Sequence, residues 1–170
     1  MQERLNIPPT KSSLLDLKRR LLFLNEGHRL LERKRELLTR LVYEKLKEFR
    51  LLNNATRETM ALAYRWLSIT QMRMGSHRLQ QLSIGMPQAI EATVLPRRSM
   101  SVQYPSVEIS KLPLQPVGIL GSDASLDETR VHFTDMVVMT AKLAEVETAL
   151  GRLLEEQRKT QKRVNALKYN

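Results

Sequence analysis

From Leu14 onward, apolar residues recur at alternating spacings of three and four: Leu14, Leu17, Leu21, Leu24, His28, Leu31, Arg35, Leu38, Val42, Lys45, Phe49, Leu52. Nine of these twelve positions are apolar, so the pattern is a heptad seam, which only a helix paired along its length can bury. Pro8-Pro9 disfavours helix before it, and Thr10 can cap the helix that follows, with Ser13 at its third position. Leu15, Leu22, Leu30, Leu37 and Leu51 widen the stripe, and the pattern loosens through Ala63 and Trp66 to about Met74. Gly75-Ser76 then weakens it.

A second seam follows later: Met136, Met139, Leu143, Val146, Leu150, Leu153, Gln157, Thr160, Val164, Leu167. Ahead of it, Ser125-Leu126-Asp127-Glu128 fits a capping box, with Ser125 accepting at the helix start and Glu128 reaching back. Between the seams the character changes. Residues 85–121 hold five of the seven prolines and three of the six glycines. Within MSVQYPSVEIS (100–110), Val102 and Tyr104, then Val107 and Ile109, alternate around Pro105, which reads as short strands or a small hairpin.

The expected fold class is therefore mostly α: a long antiparallel, left-handed coiled-coil hairpin with a small irregular, β-hairpin-containing middle region. The expected division is an N-terminal extension (1–9), a long helix (10–74), a middle region with a short helix, strands and turns (75–124), and a second long helix (125–170). The first helix would run about 90 Å and the second about 65 Å at 1.5 Å per residue. Roughly the first fifteen helical residues would then lack a mate, and the second helix is expected to continue past Asn170. Leu-, Arg-, Lys- and Glu-rich composition with eight aromatics fits long helices.

Function classes narrow quickly. There is no Cys, which removes disulfides and thiolate metal sites. No glycine precedes a phosphate-loop Lys-Ser/Thr, no His pair sits at ligand spacing, and no nucleophile–base set stands out. The reading is of a chain that is not itself an enzyme and needs no cofactor. No apolar run is long enough to span a membrane, so direct membrane insertion is not expected. The net charge of +10 raises nucleic-acid binding or a scaffold role as the alternative. Against it, the excess is concentrated in residues 11–50, with twelve basic and six acidic residues, while 127–170 is nearly balanced at eight and seven. Tyr104 is also a lone aromatic where base-stacking surfaces use several. His28, Arg35 and Lys45 break the first seam and read as register-setting or snorkelling residues. Lys159, Lys162, Arg163 and Lys168, with Thr160 and Asn165 among them, form a basic tip suited to an acidic or carbonyl-rich surface.

PTKSSLLDLKRRLLFLNEGHRLLERKRELL (9–38) resembles the N-terminal helix of the D subunit of the V/A-type rotary ATPases, and KTQKRVNALKYN (159–170) resembles that family's basic segment on its C-terminal helix. SMSVQYP (99–105) and VGILGSDASLDETRVHF (117–133) resemble its middle and its return to helix. The resemblance implies a non-catalytic rotor shaft in the central stalk, cytoplasmic and peripheral on the membrane through its complex. Its partners would be the catalytic and regulatory subunits of a nucleotide-binding hexamer, the small F subunit of the stalk, and a collar subunit on the membrane ring. It places Lys34, Arg35, Lys159, Lys162, Arg163 and Asn165 against the hexamer, and Val102, Tyr104, Val107 and Ile109 against the stalk partner. Lys168 departs from the family, which usually has Glu there.

Overall fold

A computed structural model describes residues 8–118 and 122–169 of the chain. Residues 1–7 of the expected N-terminal extension, part of the expected return at 119–121, and Asn170 lie outside the described residues. The chain is mostly helical: α1 spans Lys11–Met74, α2 Ser76–Ile84, and α3 Ala124–Tyr169. Strands β1 (Ile90–Ser99) and β2 (Val102–Lys111) form a two-stranded antiparallel sheet between α2 and α3 in sequence. Two compact units result, one from residues up to Leu41 with those from Leu154, the other from Val42 to Leu153.

Helix α1 begins as its sequence dictates. The Ser13 N–H donates to Thr10 Oγ1 at 3.2 Å, and the two hydroxyls meet at 2.7 Å. In the first unit the core contains Leu38 from α1 with Thr160 and Val164 from α3, each 2 % exposed or less. Leu14, Leu21 and Leu24, which belong to the same heptad seam as Leu38, are between 51 and 60 % exposed. Lys34 Nζ and Glu156 Oε1 pair at 2.5 Å, and Gln157 Nε2 donates to Thr39 Oγ1 at 2.9 Å. His28 stands 3.8 Å from Glu32 through Nδ1, while its Nε2 is buried without a partner among the described residues.

In the second unit the heptad phase of α1 continues, but with small residues. Thr56, Ala63 and Thr70 are seven apart and all buried. Their partners run in the opposite sense along α3. Tyr64 meets Phe133 edge-on, Trp66 stacks on His132, Thr70 reaches Ser125 and Thr129, and Arg73 reaches Asp123. The helices are thus antiparallel here. Thr70 and Thr129 hydroxyls lie 2.7 Å apart, and each is 2.8 Å from the Ser125 carbonyl. Two hydroxyl protons serve three contacts, and the Ser125 carbonyl, with two lone pairs, has room for both donors. Thr56 Oγ1, by contrast, is buried with no partner among the described residues. Thr56→Val should therefore stabilise the chain by about 1 kcal/mol, since a methyl in place of a desolvated hydroxyl removes an unmet hydrogen bond. Urea denaturation checks this.

The start of α3 differs from the expected capping box. Asp123, not Ser125, occupies the cap: its Oδ2 accepts from the Ser125 N–H at 3.3 Å and from the Ser125 hydroxyl, and its carbonyl accepts from the Leu126 N–H at 2.8 Å. Ser125 lies inside the helix, 2 % exposed, with its carbonyl taken by the threonines. Glu128 faces His132 one turn on, at 4.0 Å, instead of reaching back. The Ser125 hydroxyl, and then the Arg73 guanidinium at 3.2 Å, hold the Asp123 carboxyl below its ordinary pKa. A carboxyl depressed in the folded state stabilises fully above its unfolded pKa and loses that contribution as pH falls through the folded value. Asp123→Asn should lower the melting temperature at neutral pH and flatten its decline below the ordinary carboxylate range. Melting curves of both proteins across acid pH test that.

Gly75 separates α1 from α2 with φ 80° and ψ 148°, a conformation that side chains disfavour. Its N–H closes the last turn of α1 on Gln71, and its carbonyl accepts from the Leu79 N–H to open α2.

Candidate functional site

The basic tip is built by the inward turn of two α3 residues. Thr160 and Val164 are 1 % and 2 % exposed, so the helix directs Lys159, Lys162, Arg163 and Asn165 to the surface. Arg158 joins them there, a residue the sequence reading passed over. Lys159 pairs with Glu155 at 2.8 Å, one turn back. That hydrogen bond holds the Lys159 ammonium above and the Glu155 carboxyl below their ordinary values. Among the described residues, Lys162 and Arg163 have no carboxylate within ion-pairing distance, so their charges face outward unpaired. Asn165 Oδ1 accepts from Gln161 Nε2 at 2.8 Å.

Lys34 and Arg35 behave differently. Lys34 is committed to Glu156 with both side chains half-buried, so it ties α1 to α3 within its unit. Arg35 is half-buried at a seam position, and its carbonyl accepts the Thr39 hydroxyl at 2.9 Å. Glu155 and Glu156, just before the tip, neutralise one lysine each, Lys159 and Lys34, a pairing the sequence alone did not show.

The hairpin is the second feature. Its register pairs Ser99 with Val102 across a two-residue turn, in which Met100 (φ 47°) and Ser101 (φ 68°) are both left-handed. Such turns suit the strand twist but usually recruit Gly or Asn. Pairs alternate from there between hydrogen-bonded and non-bonded. Leu112 N–H to the Ala89 carbonyl at 3.0 Å fixes the phase, one pair beyond Ile90–Lys111. Pro96 and Pro105 are opposite each other at a non-bonded pair, so neither removes a ladder bond.

The same phase turns the Val107 N–H and the Gln103 carbonyl away from β1. Helix α3 meets both. Glu145 Oε2 accepts from Val107 N–H at 3.0 Å while its Oε1 accepts from the Ser106 hydroxyl at 3.0 Å. Arg152, two turns on, donates to the Gln103 carbonyl at 2.6 Å. Lys111 pairs with Asp135. Two outward backbone groups of β2 are thereby taken by α3. Val102 and Tyr104 are buried at 7 % and 9 %, and Val107 and Ile109 are half-buried on the opposite face. The four residues expected to share a partner surface therefore occupy two faces of one strand.

A cleft of about 540 Å³ also opens in the second unit, walled by Leu67, Leu79, Met86, Leu126 and Phe133 among others, with Arg130 its one ionisable wall residue. Among the described residues no group of three or more His, Asp or Glu could hold a metal, and no helix is long and apolar enough to cross a membrane.

Two antiparallel helices, a β-hairpin fastened to the second, and an outward basic tip define a helical-hairpin protein whose surface is suited to contact. Comparison with known proteins gives the class a family. The family described as the D subunit of ATP synthase matches residues 13–170. The chain is 32 % identical to the D subunit of the A-type ATP synthase of Pyrococcus furiosus, over 99 % of this chain and 81 % of that protein. Identity is 33 % to the corresponding protein of Pyrococcus abyssi, with the same coverage. It is 29 % to the D subunit of the V-type ATP synthase of Thermotoga neapolitana, over 96 % of this chain and 81 % of that protein. The chain belongs to the D-subunit family of the A-type and V-type ATP synthases.

Proposed function

We propose that this chain is the central rotor shaft of a V/A-type ATPase. It is non-catalytic and transmits torque between a nucleotide-binding hexamer and the ion-translocating ring in the membrane. The observation that carries this reading is the family match over residues 13–170, which takes in both helices and the region between them. On this reading the chain is peripheral to the membrane, on its cytoplasmic face, and reaches the ring through other subunits.

The physics of coupling supports the assignment of contacts. A shaft and its hexamer exchange work only if shaft contacts differ in free energy between nucleotide states. The outward, unpaired Lys162 and Arg163, with Lys159 and Asn165, can meet carboxylates or carbonyls of successive catalytic and regulatory subunits. Lys34, tied to Glu156 of α3, and Arg35 are assigned to the same contact. The small F subunit and a collar subunit on the ring are the remaining partners of the reading, with the hairpin and its surroundings as the contact region.

The test is reconstitution of the hexamer with and without the chain, reading ATP hydrolysis, against a Lys159→Ala, Lys162→Ala, Arg163→Ala variant. The chain should bind and change the hydrolysis rate. The variant should keep its helicity and associate on the order of tenfold more weakly, with a salt dependence reduced to match. A chain that neither binds the hexamer nor alters turnover contradicts the proposal.

A further inference from the structure

The hairpin has two outer edges, and only one is used. Glu145 and Arg152 of α3 engage the β2 edge at the Val107 N–H and the Gln103 carbonyl. On β1 the hydrogen-bonding phase sends the backbone groups of Ile90, Ala92, Val94, Pro96 and Arg98 away from β2. The Gln88 side chain takes the Ile90 carbonyl at 2.8 Å, in keeping with the outward direction of this set. The N–H groups of Ala92, Val94 and Arg98 and the carbonyls of Ala92, Val94 and Pro96 meet no partner among the described residues. Every residue from Glu91 to Arg98 is exposed, so β1 lies open on its edge and on both faces.

Its side chains specify what could cover it. Val94 and Leu95 are 63 % and 44 % exposed and point to opposite faces. Arg97 and Arg98 follow, again one on each face, and neither has a carboxylate within ion-pairing distance among the described residues. A two-stranded hairpin is marginal alone, and an open apolar edge is a template for a third strand. Pro96 lacks an outward N–H, which interrupts the donor row and restricts pairing to a short segment. It also discourages indiscriminate edge-to-edge growth.

We propose that β1 is a strand-addition site for another subunit of the ATPase complex. The occupant is a short extended segment with two adjacent apolar residues, covering Val94 and Leu95, and two adjacent carboxylates nearby, meeting Arg97 and Arg98. Main-chain bonds to Ala92 and Val94 supply affinity, and the charge match sets the register. The interaction assigned to the hairpin then belongs to β1, while Val102 and Tyr104 on β2 hold the hairpin to its own chain. The inference rests on the reading of this chain as a subunit that works among partners.

Hydrogen exchange of the chain, free and within the assembled ATPase head and stalk, tests it. In the free chain the Thr93 and Leu95 amides, bonded to β2, are slow, and the outward Ala92 and Val94 amides are fast. Assembly should slow Ala92 and Val94 at least about tenfold. Val94→Pro removes an outward donor without touching the ladder, and should weaken assembly on the order of tenfold with Thr93 and Leu95 still protected. Should proline disturb the hairpin, Arg97→Glu with Arg98→Glu offers the same loss without a backbone change. Assembly with Ala92 and Val94 exchanging as in the free chain overturns the strand addition while leaving the shaft intact. Protection that grows with concentration of the free chain assigns the edge to a second copy and also overturns it. A chain that fails to assemble at all overturns the shaft reading, and this inference with it.

Discussion

Leu38→Ala should cost about 2–5 kcal/mol of folding stability, the range for a large side chain removed from a packed interior. Leu38 is fully buried, in the same heptad phase as Leu31 and Leu24. The Lys34–Glu156 pair and the Gln157–Thr39 bond tie α1 to α3 on either side of it in sequence, which opposes collapse of the void left by truncation. Leu21→Ala is the control. At 60 % exposure Leu21 has little burial to lose in this chain, and the change should stay within about 0.5 kcal/mol, as for other surface substitutions. Urea denaturation followed by helical circular dichroism gives both values. Equal losses at the two sites would mean that the seam is covered along its whole length in solution.

Glu145→Ala should cost about 1–3 kcal/mol, because it strips a charged acceptor from two donors at once. The Val107 N–H has no ladder partner to fall back on, since its phase points it away from β1. The Ser106 hydroxyl can turn to water, so the backbone donor carries most of the loss. Glu145→Gln keeps one acceptor oxygen and should fall between alanine and the parent. Amide exchange localises the effect: Val107 should lose protection, while Thr93 and Leu95, bonded across the hairpin, should keep theirs. Unchanged protection at Val107 would show that the clasp on α3 contributes nothing to the hairpin's placement.

The two helices were legible because leucine repeated at heptad spacing fits a paired helix and little else. The limit of that signal shows at Thr56, Ala63 and Thr70. They continue the buried phase of α1, yet two of them are threonines that read as polar until their surroundings are known. Extended structure at 100–110 was legible from its alternating apolar residues, but it is one strand running through Pro105 and not short strands or a hairpin around it, and β1 was not legible. IEATVLPRRS has no inside face, so burial leaves no period in it, and the Met100-Ser101 turn carries neither Gly nor Asn. At the start of α3, Ser125 and Asp123 are both good caps by residue type. Arg73 and Thr70, fifty or more residues away, decide between them.

The same division holds at the basic tip. That Lys159, Lys162 and Arg163 are surface cations followed from their spacing around Thr160 and Val164. That Lys34 is bound to Glu156 required the pairing of two residues 122 apart in sequence. Sequence shows which charges a helix carries; only the fold shows which are already neutralised. Val102 and Tyr104, buried in the chain by itself, meet the same limit, since apolar strand residues serve a partner or their own core equally well on paper.

The central claim is that this chain turns relative to the subunits that hydrolyse ATP. The most direct test fixes the reconstituted hexamer to a surface, attaches a probe to an exposed position of this chain such as Met72, and watches single complexes. The account predicts rotation in one direction that starts with ATP, stops without it, and slows with the Lys162→Ala, Arg163→Ala variant. A probe that stays fixed while the same complexes hydrolyse ATP would contradict it.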